Sequence, residues 1–119
     1  MYPNMVLFNN ACADGDLEYV KNNIKNISQP QMDFGFRLAA TYNHVDIVSF
    51  LLDSNELSVI ASNCSTQEDN AFMSSFSLKR KPNEVTEYLL KQRNYTPSQS
   101  ILFWIEENNI KFDTTPYWK

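Results

Sequence analysis

The sequence predicts an all-α protein, a short helical solenoid of three helix-turn-helix units closed by a C-terminal capping helix. Three observations carry that expectation. Only two glycines, Gly15 and Gly35, occur in 119 residues; Asn-Gly is absent, and the single Asp-Gly, Asp14-Gly15, lies between apolar residues at helical spacing and not between the alternating strands of a β-hairpin. Apolar residues recur at helical spacing in three segments, Leu17, Val20, Ile24 and Ile27, then Val45, Val48, Leu51 and Leu52, then Val85, Leu89 and Leu90. Each segment follows another apolar piece of the same period, and Gly15-Asp16 and Asn43-His44 separate the members of the first two pairs. Glycine and asparagine tolerate the left-handed backbone that ends a helix, so each pair reads as helix, tight turn, antiparallel helix.

In chain order, Phe8, Ala11 and Cys12 form the inner face of the first unit, with Leu17 to Ile27 as its outer helix. Phe36, Ala39 and Ala40 lead the second unit, 28 residues after Phe8. The link "DSNELSVIASNCSTQED" is long enough for an extra turn of helix around Leu57 to Ala61. Phe72, Ser75 and Phe76 lead the third unit, 36 residues after Phe36, with two extra residues in "SLKRKPN" before its outer helix. "TPSQSILFWIEENN" opens with Thr96 as the expected N-cap, Pro97 at the first helical position and Gln99 three residues after the cap. Ile101, Leu102 and Ile105 give that helix one apolar face, suited to cover the end of a stack. Trp104 is expected to pack within the cap, whereas Tyr117 and Trp118 fit either packing or an exposed tail. The units are expected at about 5–27, 34–56 and 70–92 of a single domain over 1–119, with the capping helix and tail at 96–119.

"FRLAATYNHVDIVSFLL", "FNNACADGDLEYVKNNI" and, more loosely, "FMSSFSLKRKPNEVTEYLL" repeat one pattern. It resembles the ankyrin-repeat family, whose unit of about 33 residues is a turn plus two helices. The two small residues of the inner helix are matched by Ala11 and Cys12, then by Ala39 and Ala40. The Val-Val of the outer helix is matched by Tyr19-Val20, Ile47-Val48 and Val85-Thr86, and the Leu-Leu that follows by Asn23-Ile24, Leu51-Leu52 and Leu89-Leu90. The sequence departs from the family in lacking the Thr-Pro that opens the inner helix. It also places Phe76 where a small residue belongs.

The residues capable of chemistry read as structure. A nucleophilic triad needs a base, and the one histidine, His44, sits in a turn where it is expected to hydrogen-bond backbone groups. Asp14 and Asp16 flank Gly15, but Asp16 at the start of a helix is explained as its N-cap. Glu106 and Glu107 are neighbours on one helix and point in different directions. Cys12 falls on a buried face with no activating partner nearby. With no CxxC pair, no Cys/His cluster and no Gly-rich loop, neither metal nor cofactor is expected, and Cys12 and Cys64 are expected as free thiols. An enzyme built here would have to recruit a cofactor without the usual ligands, so a non-enzymatic role is expected.

Charge narrows the partner. A net charge of −4 and a pI near 4.8 argue against nucleic acid. The imbalance is local: residues 1 to 60 carry three Lys/Arg against seven Asp/Glu, and residues 61 to 119 carry seven of each. The longest apolar run, Ile101 to Ile105, is too short to span a bilayer, and the N-terminus lacks the basic and apolar regions of a secretory signal. Cytoplasmic residence is therefore expected, in a host cell if the protein is an effector.

The resemblance implies non-catalytic binding of another protein through a concave groove and the turn tips. Asp14, Thr41 and Tyr42 at the ends of inner helices are expected to face that partner. So are Arg37 and Met73, which follow a leading phenylalanine, and Leu78, Lys79, Arg80 and Lys81 in the lengthened third turn. Tyr42, large and amphipathic, has the character of an interface anchor. Such a module inhibits, tethers or neutralises. Richness in Asn, Ile and Lys hints at an A/T-rich bacterial or viral genome, where similar short proteins look like inhibitors, immunity proteins or host-targeting effectors. The competing expectation is self-association through an end of the stack or the aromatic tail, in place of a monomer.

Overall fold

A computed structural model describes residues 2–54, 56–57 and 66–118, with side chains from Val6 onward. Every regular element among these residues is helical. The α-helices are α1 (Tyr2–Asp14), α2 (Leu17–Asn23), α3 (Gln29–Thr41), α4 (Val45–Asp53), α5 (Gln67–Ser74), α6 (Glu84–Lys91) and α7 (Gln99–Glu107). Short 3-10 turns follow at Ile24–Asn26 and Thr115–Tyr117. The extra turn expected around Leu57 to Ala61, and Cys64 with it, lie outside the described residues.

Two layers of helices meet face to face. In one, α1 packs on α3 and α3 on α5; in the other, α2 packs on α4 and α4 on α6. Within each sequential pair the helices also touch, α1 with α2, α3 with α4 and α5 with α6. The molecule is accordingly longer in one direction, 43 × 25 × 24 Å.

Between the layers lies one apolar core. Phe8, Phe36 and Phe72 are fully buried in it, as are Val20, Val48 and Val85 from the facing helices. Small residues set how closely α1 approaches α3. A Cβ placed on Gly35 would come within 2.7 Å of the Phe8 ring and 2.9 Å of Cys12 Sγ, so the glycine is what admits the ring. Thr86 is fully buried where the other outer helices carry valine, and its hydroxyl pairs with the buried Ser75 hydroxyl at 2.7 Å. That bond meets the requirement that a buried polar group be satisfied.

Several boundaries differ from expectation for identifiable reasons. α3 begins at Gln29 rather than near Phe34, because Pro30 stands in its first turn, where a missing N–H costs nothing. Gln29 and Pro30 are exposed and carry no apolar period, whereas the buried Met32, four residues before Phe36, continues the period and is the signal overlooked. α7 is capped by Ser98, whose side chain accepts from Ile101 N at 3.4 Å, and not by Thr96. Phe76 lies beyond the end of α5 and is buried among rings, 5.2 Å from Phe72 and 5.6 Å from Phe112.

The C-terminal segment folds back on the helices. Ile101 and Ile105 of α7 join the core, and the Phe112 ring lies 5.5 Å from Phe72. Tyr117 stacks on Phe112, and the Trp118 ring meets Phe103 edge to face at 5.1 Å. Trp118 Nε1 donates to Glu106 at 2.9 Å and to Thr114 Oγ1 at 3.0 Å, while the Thr114 hydroxyl donates to the same Glu106 oxygen at 2.5 Å. Both donors favour the charged carboxylate, so Glu106 titrates below its ordinary value, with Thr114 the larger cause. The choice left open for Tyr117 and Trp118 resolves to packing.

Candidate functional site

The turns between paired helices lie where left-handed residues reverse the chain. Gly15 (φ +86°) ends α1, Asn43 (φ +69°) follows α3, and Arg80 (φ +54°) closes the long turn after α5. At Gly15 two demands coincide, since a Cβ there would also lie 2.8 Å from the His44 ring. His44 leans across the first turn and places Nε2 at 2.7 Å from the Ala13 carbonyl. A carbonyl only accepts, so Nε2 carries the proton, and the histidine is occupied as a backbone strut.

Asn43 does more than turn the chain. Its Oδ1 accepts from Glu84 N at 2.8 Å and Val85 N at 3.2 Å, the first two amides of α6. Asn83, the N-cap of α6, accepts from the third, Thr86 N, at 3.1 Å, and Thr86 Oγ1 accepts from Asn83 N at 3.0 Å to complete a capping box. Asn83 Nδ2 in turn donates to Ala40 O at 3.3 Å near the end of α3. The end of α3 and the start of α6 are thereby laced together through two asparagine side chains.

That lacing holds open a hollow of about 200 Å³ between the second and third turns. Thr41, Tyr42, Leu78, Lys79 and Lys81 line it, together with Asn43, Ser75, Pro82 and Asn83. Tyr42 is 46% exposed and Leu78 58% exposed, two large apolar surfaces on opposite turns. Among the described residues no carboxylate pairs with Lys79 or Lys81.

The other residues expected to meet a partner stand elsewhere. Asp14 is exposed at the end of α1, outside the hollow. Arg37 lies with its guanidinium 5.6 Å from the Phe34 ring centre, and Met73 is half-buried against the core. Arg80 is exposed, but its guanidinium donates to the Asn108 carbonyl at 3.1 Å. Its own carbonyl accepts from Lys111 N at 3.0 Å, and its amide donates to Phe76 O at 3.0 Å. Those three bonds offset the cost, on the order of 1–3 kcal/mol, of left-handed backbone at a residue with a side chain. Arg80 thus ties the third turn to the C-terminal segment.

Sequence reasoning missed Asn83, Pro82 and Ser75, and gave Asn43 only a backbone role. A signal for Asn83 was present, an asparagine with Thr86 three residues on and an apolar period behind it. No signal announced that the Asn43 side chain reaches 41 residues along the chain to α6.

Elsewhere, Val45, Glu84, Glu87, Tyr88, Lys91 and Gln92 surround a shallower depression, where Lys91 pairs with Glu87 at 2.9 Å. Cys12 is fully buried, and burial pushes its thiol up to about 12, far from the reactive thiolate range. Among the described residues no group of three His, Cys, Asp or Glu side chains is placed to hold a metal ion, and no helix is long and apolar enough to cross a membrane. Comparisons of the chain with protein-family models, with curated proteins and with solved structures find no match.

Proposed function

We propose that this protein is a non-catalytic binding module, an ankyrin-like stack of three helix pairs that holds a partner protein at its turns. The observation that carries the proposal is the hollow between the second and third turns. Exposed Tyr42 and Leu78 flank it, and Lys79 and Lys81, which pair with no carboxylate among the described residues, stand at its edge. Large amphipathic side chains beside a concavity anchor protein interfaces, and a rim of one charge sets which partners approach. The occupied ring nitrogen of His44 and the buried, unreactive thiol of Cys12 support a role without catalysis. Two helix layers, one of α1, α3 and α5 and the other of α2, α4 and α6, support the ankyrin-like arrangement.

Affinity capture from the native source with the tagged wild type, beside Tyr42→Ala and Lys79→Glu/Lys81→Glu, tests the proposal. Tyr42→Ala is expected to lose most of the captured partner while circular dichroism and melting stay as in wild type. Capture by both variants at the wild-type level would sink the proposed surface.

A second reading, self-association, is favoured by Val6 and Leu7, which are 51% and 50% exposed on α1. Light scattering that reports a monomer at high concentration would remove it.

A further inference from the structure

We infer that the hollow between the second and third turns takes one apolar side chain of phenyl or isobutyl size, presented by an acidic segment of the partner. The inference rests on the proposed binding role and goes beyond it to the chemistry of what is bound.

Size sets the anchor. The hollow measures about 200 Å³, and an apolar cavity of about 150 Å³ is known to hold benzene. One ring or one branched aliphatic group therefore fills it. The side-chain amides of Asn43 and Asn83 and the hydroxyl of Ser75 in its wall are already committed, which sets the anchor's polarity. Asn43 spends its carbonyl oxygen on Glu84 N and Val85 N, and its amide on Glu84 Oε1 at 3.0 Å. Asn83 spends its side chain on Thr86 N and Ala40 O. The Ser75 hydroxyl donates to Phe72 O at 2.6 Å and is shared with Thr86. A polar side chain entering this space would lose its water and find these groups taken. An apolar one loses nothing and covers Tyr42, Leu78 and Pro82.

Charge sets what stands beside the anchor. Lys79 and Lys81 are both exposed, whereas the intervening Arg80 is turned away to Asn108. Two compact ammonium groups on the same edge, with no acid opposite them among the described residues, are complemented by carboxylates. The nearby exposed acid Glu84, held by Asn43, lies outside the hollow's lining, so the partner's carboxylates belong on the lysine side of the anchor.

The test is a titration of ¹⁵N-labelled protein with acetylated, amidated five-residue peptides. The probe has a central phenylalanine flanked by aspartates; the controls have an alanine centre, asparagine flanks or lysine flanks. The aspartate–phenylalanine peptide is expected to shift the amides of Tyr42, Asn43, Leu78 and Lys79. It should bind about five- to tenfold more tightly than the asparagine-flanked peptide, the size expected of two exposed ion pairs. Lys79→Glu/Lys81→Glu should abolish that preference with the rest of the spectrum unchanged. Equal binding of the asparagine-flanked or the alanine-centred control, shifts located elsewhere, no shifts at millimolar peptide, or the same shifts from inorganic phosphate alone would each overturn the inference. Should Tyr42→Ala lose the captured partner while the lysine reversal and the acidic peptide leave capture unchanged, the binding role stands and only this inference fails.

Discussion

Asn43 is the residue on which the turn and the hollow both depend, and a series of substitutions separates its two tasks. Its backbone sits at φ +69°, and its side-chain oxygen caps Glu84 N and Val85 N across the hollow. The series is read in a Glu84→Gln background, which removes the carboxylate that accepts from the Asn43 amide at 3.0 Å. There Asn43→Asp keeps an acceptor, tolerates the left-handed backbone and places negative charge at a helix N-terminus, so stability should stay within about 0.5 kcal/mol of that background. Asn43→Gly keeps the backbone freedom but loses the cap, which costs about 1 kcal/mol. Asn43→Ala loses the cap and adds the left-handed penalty of a β-carbon, about 1–2 kcal/mol more. The ladder is therefore Asp, Gly, Ala in order of increasing cost, spanning about 2–3 kcal/mol. Urea denaturation of the three variants reads it directly, since each enters as a midpoint shift at constant slope. If Gly and Ala cost the same, the backbone argument fails. If Asp costs as much as Gly, the capping argument fails.

Other consequences follow from packing and charge. Gly35→Ala gains about 1 kcal/mol of helix propensity yet forces a β-carbon to within 2.7 Å of the buried Phe8 ring. Overpacking of that kind costs about 1–3 kcal/mol, so a net loss of up to about 2 kcal/mol and a lower melting temperature are expected. A Phe8→Leu background, by removing the ring edge, should shrink the penalty; an equally large penalty there would place the clash elsewhere. Glu106 holds Thr114 and Trp118 as a carboxylate and titrates below its ordinary value of 4.5. A depressed native value means that its contribution is fully present above about 4.5 and is lost as pH falls through the lower native value. The Trp118 indole N–H signal should move in that low window in the wild type and lose the transition in Glu106→Gln.

Local chemistry is what the sequence displays. The helical class, the buried faces led by Phe8, Phe36 and Phe72, the Gly15 and Asn43 turns, the Asp16 cap (accepting from Tyr19 N at 3.1 Å) and the inert setting of Cys12 all follow from side chains acting on near neighbours. A period of apolar residues reports which way a helix must face, since burial acts on each residue separately. The first positions of α3, Gln29 and Pro30, were hidden because exposed residues have no such period, although the buried Met32 four residues before Phe36 carried it. The Ser98 cap was hidden because Thr96 and Ser98 both suit the role, and only backbone geometry separates them.

The site was half legible for the same reason. Tyr42 and the basic turn stand out as residues, but that Thr41, Tyr42, Leu78, Lys79 and Lys81 share one hollow, and that Arg80 does not, was settled by tertiary structure. The sequence by itself determined an all-helical chain with apolar faces to bury and turns to expose. Only the tertiary structure decided which turns meet, because the bonds that join them, Asn43 to α6, Asn83 to Ala40 and Arg80 to Asn108, run between residues far apart in the chain. Hydrogen bonds depend on distance and direction in space, and a linear pattern holds neither.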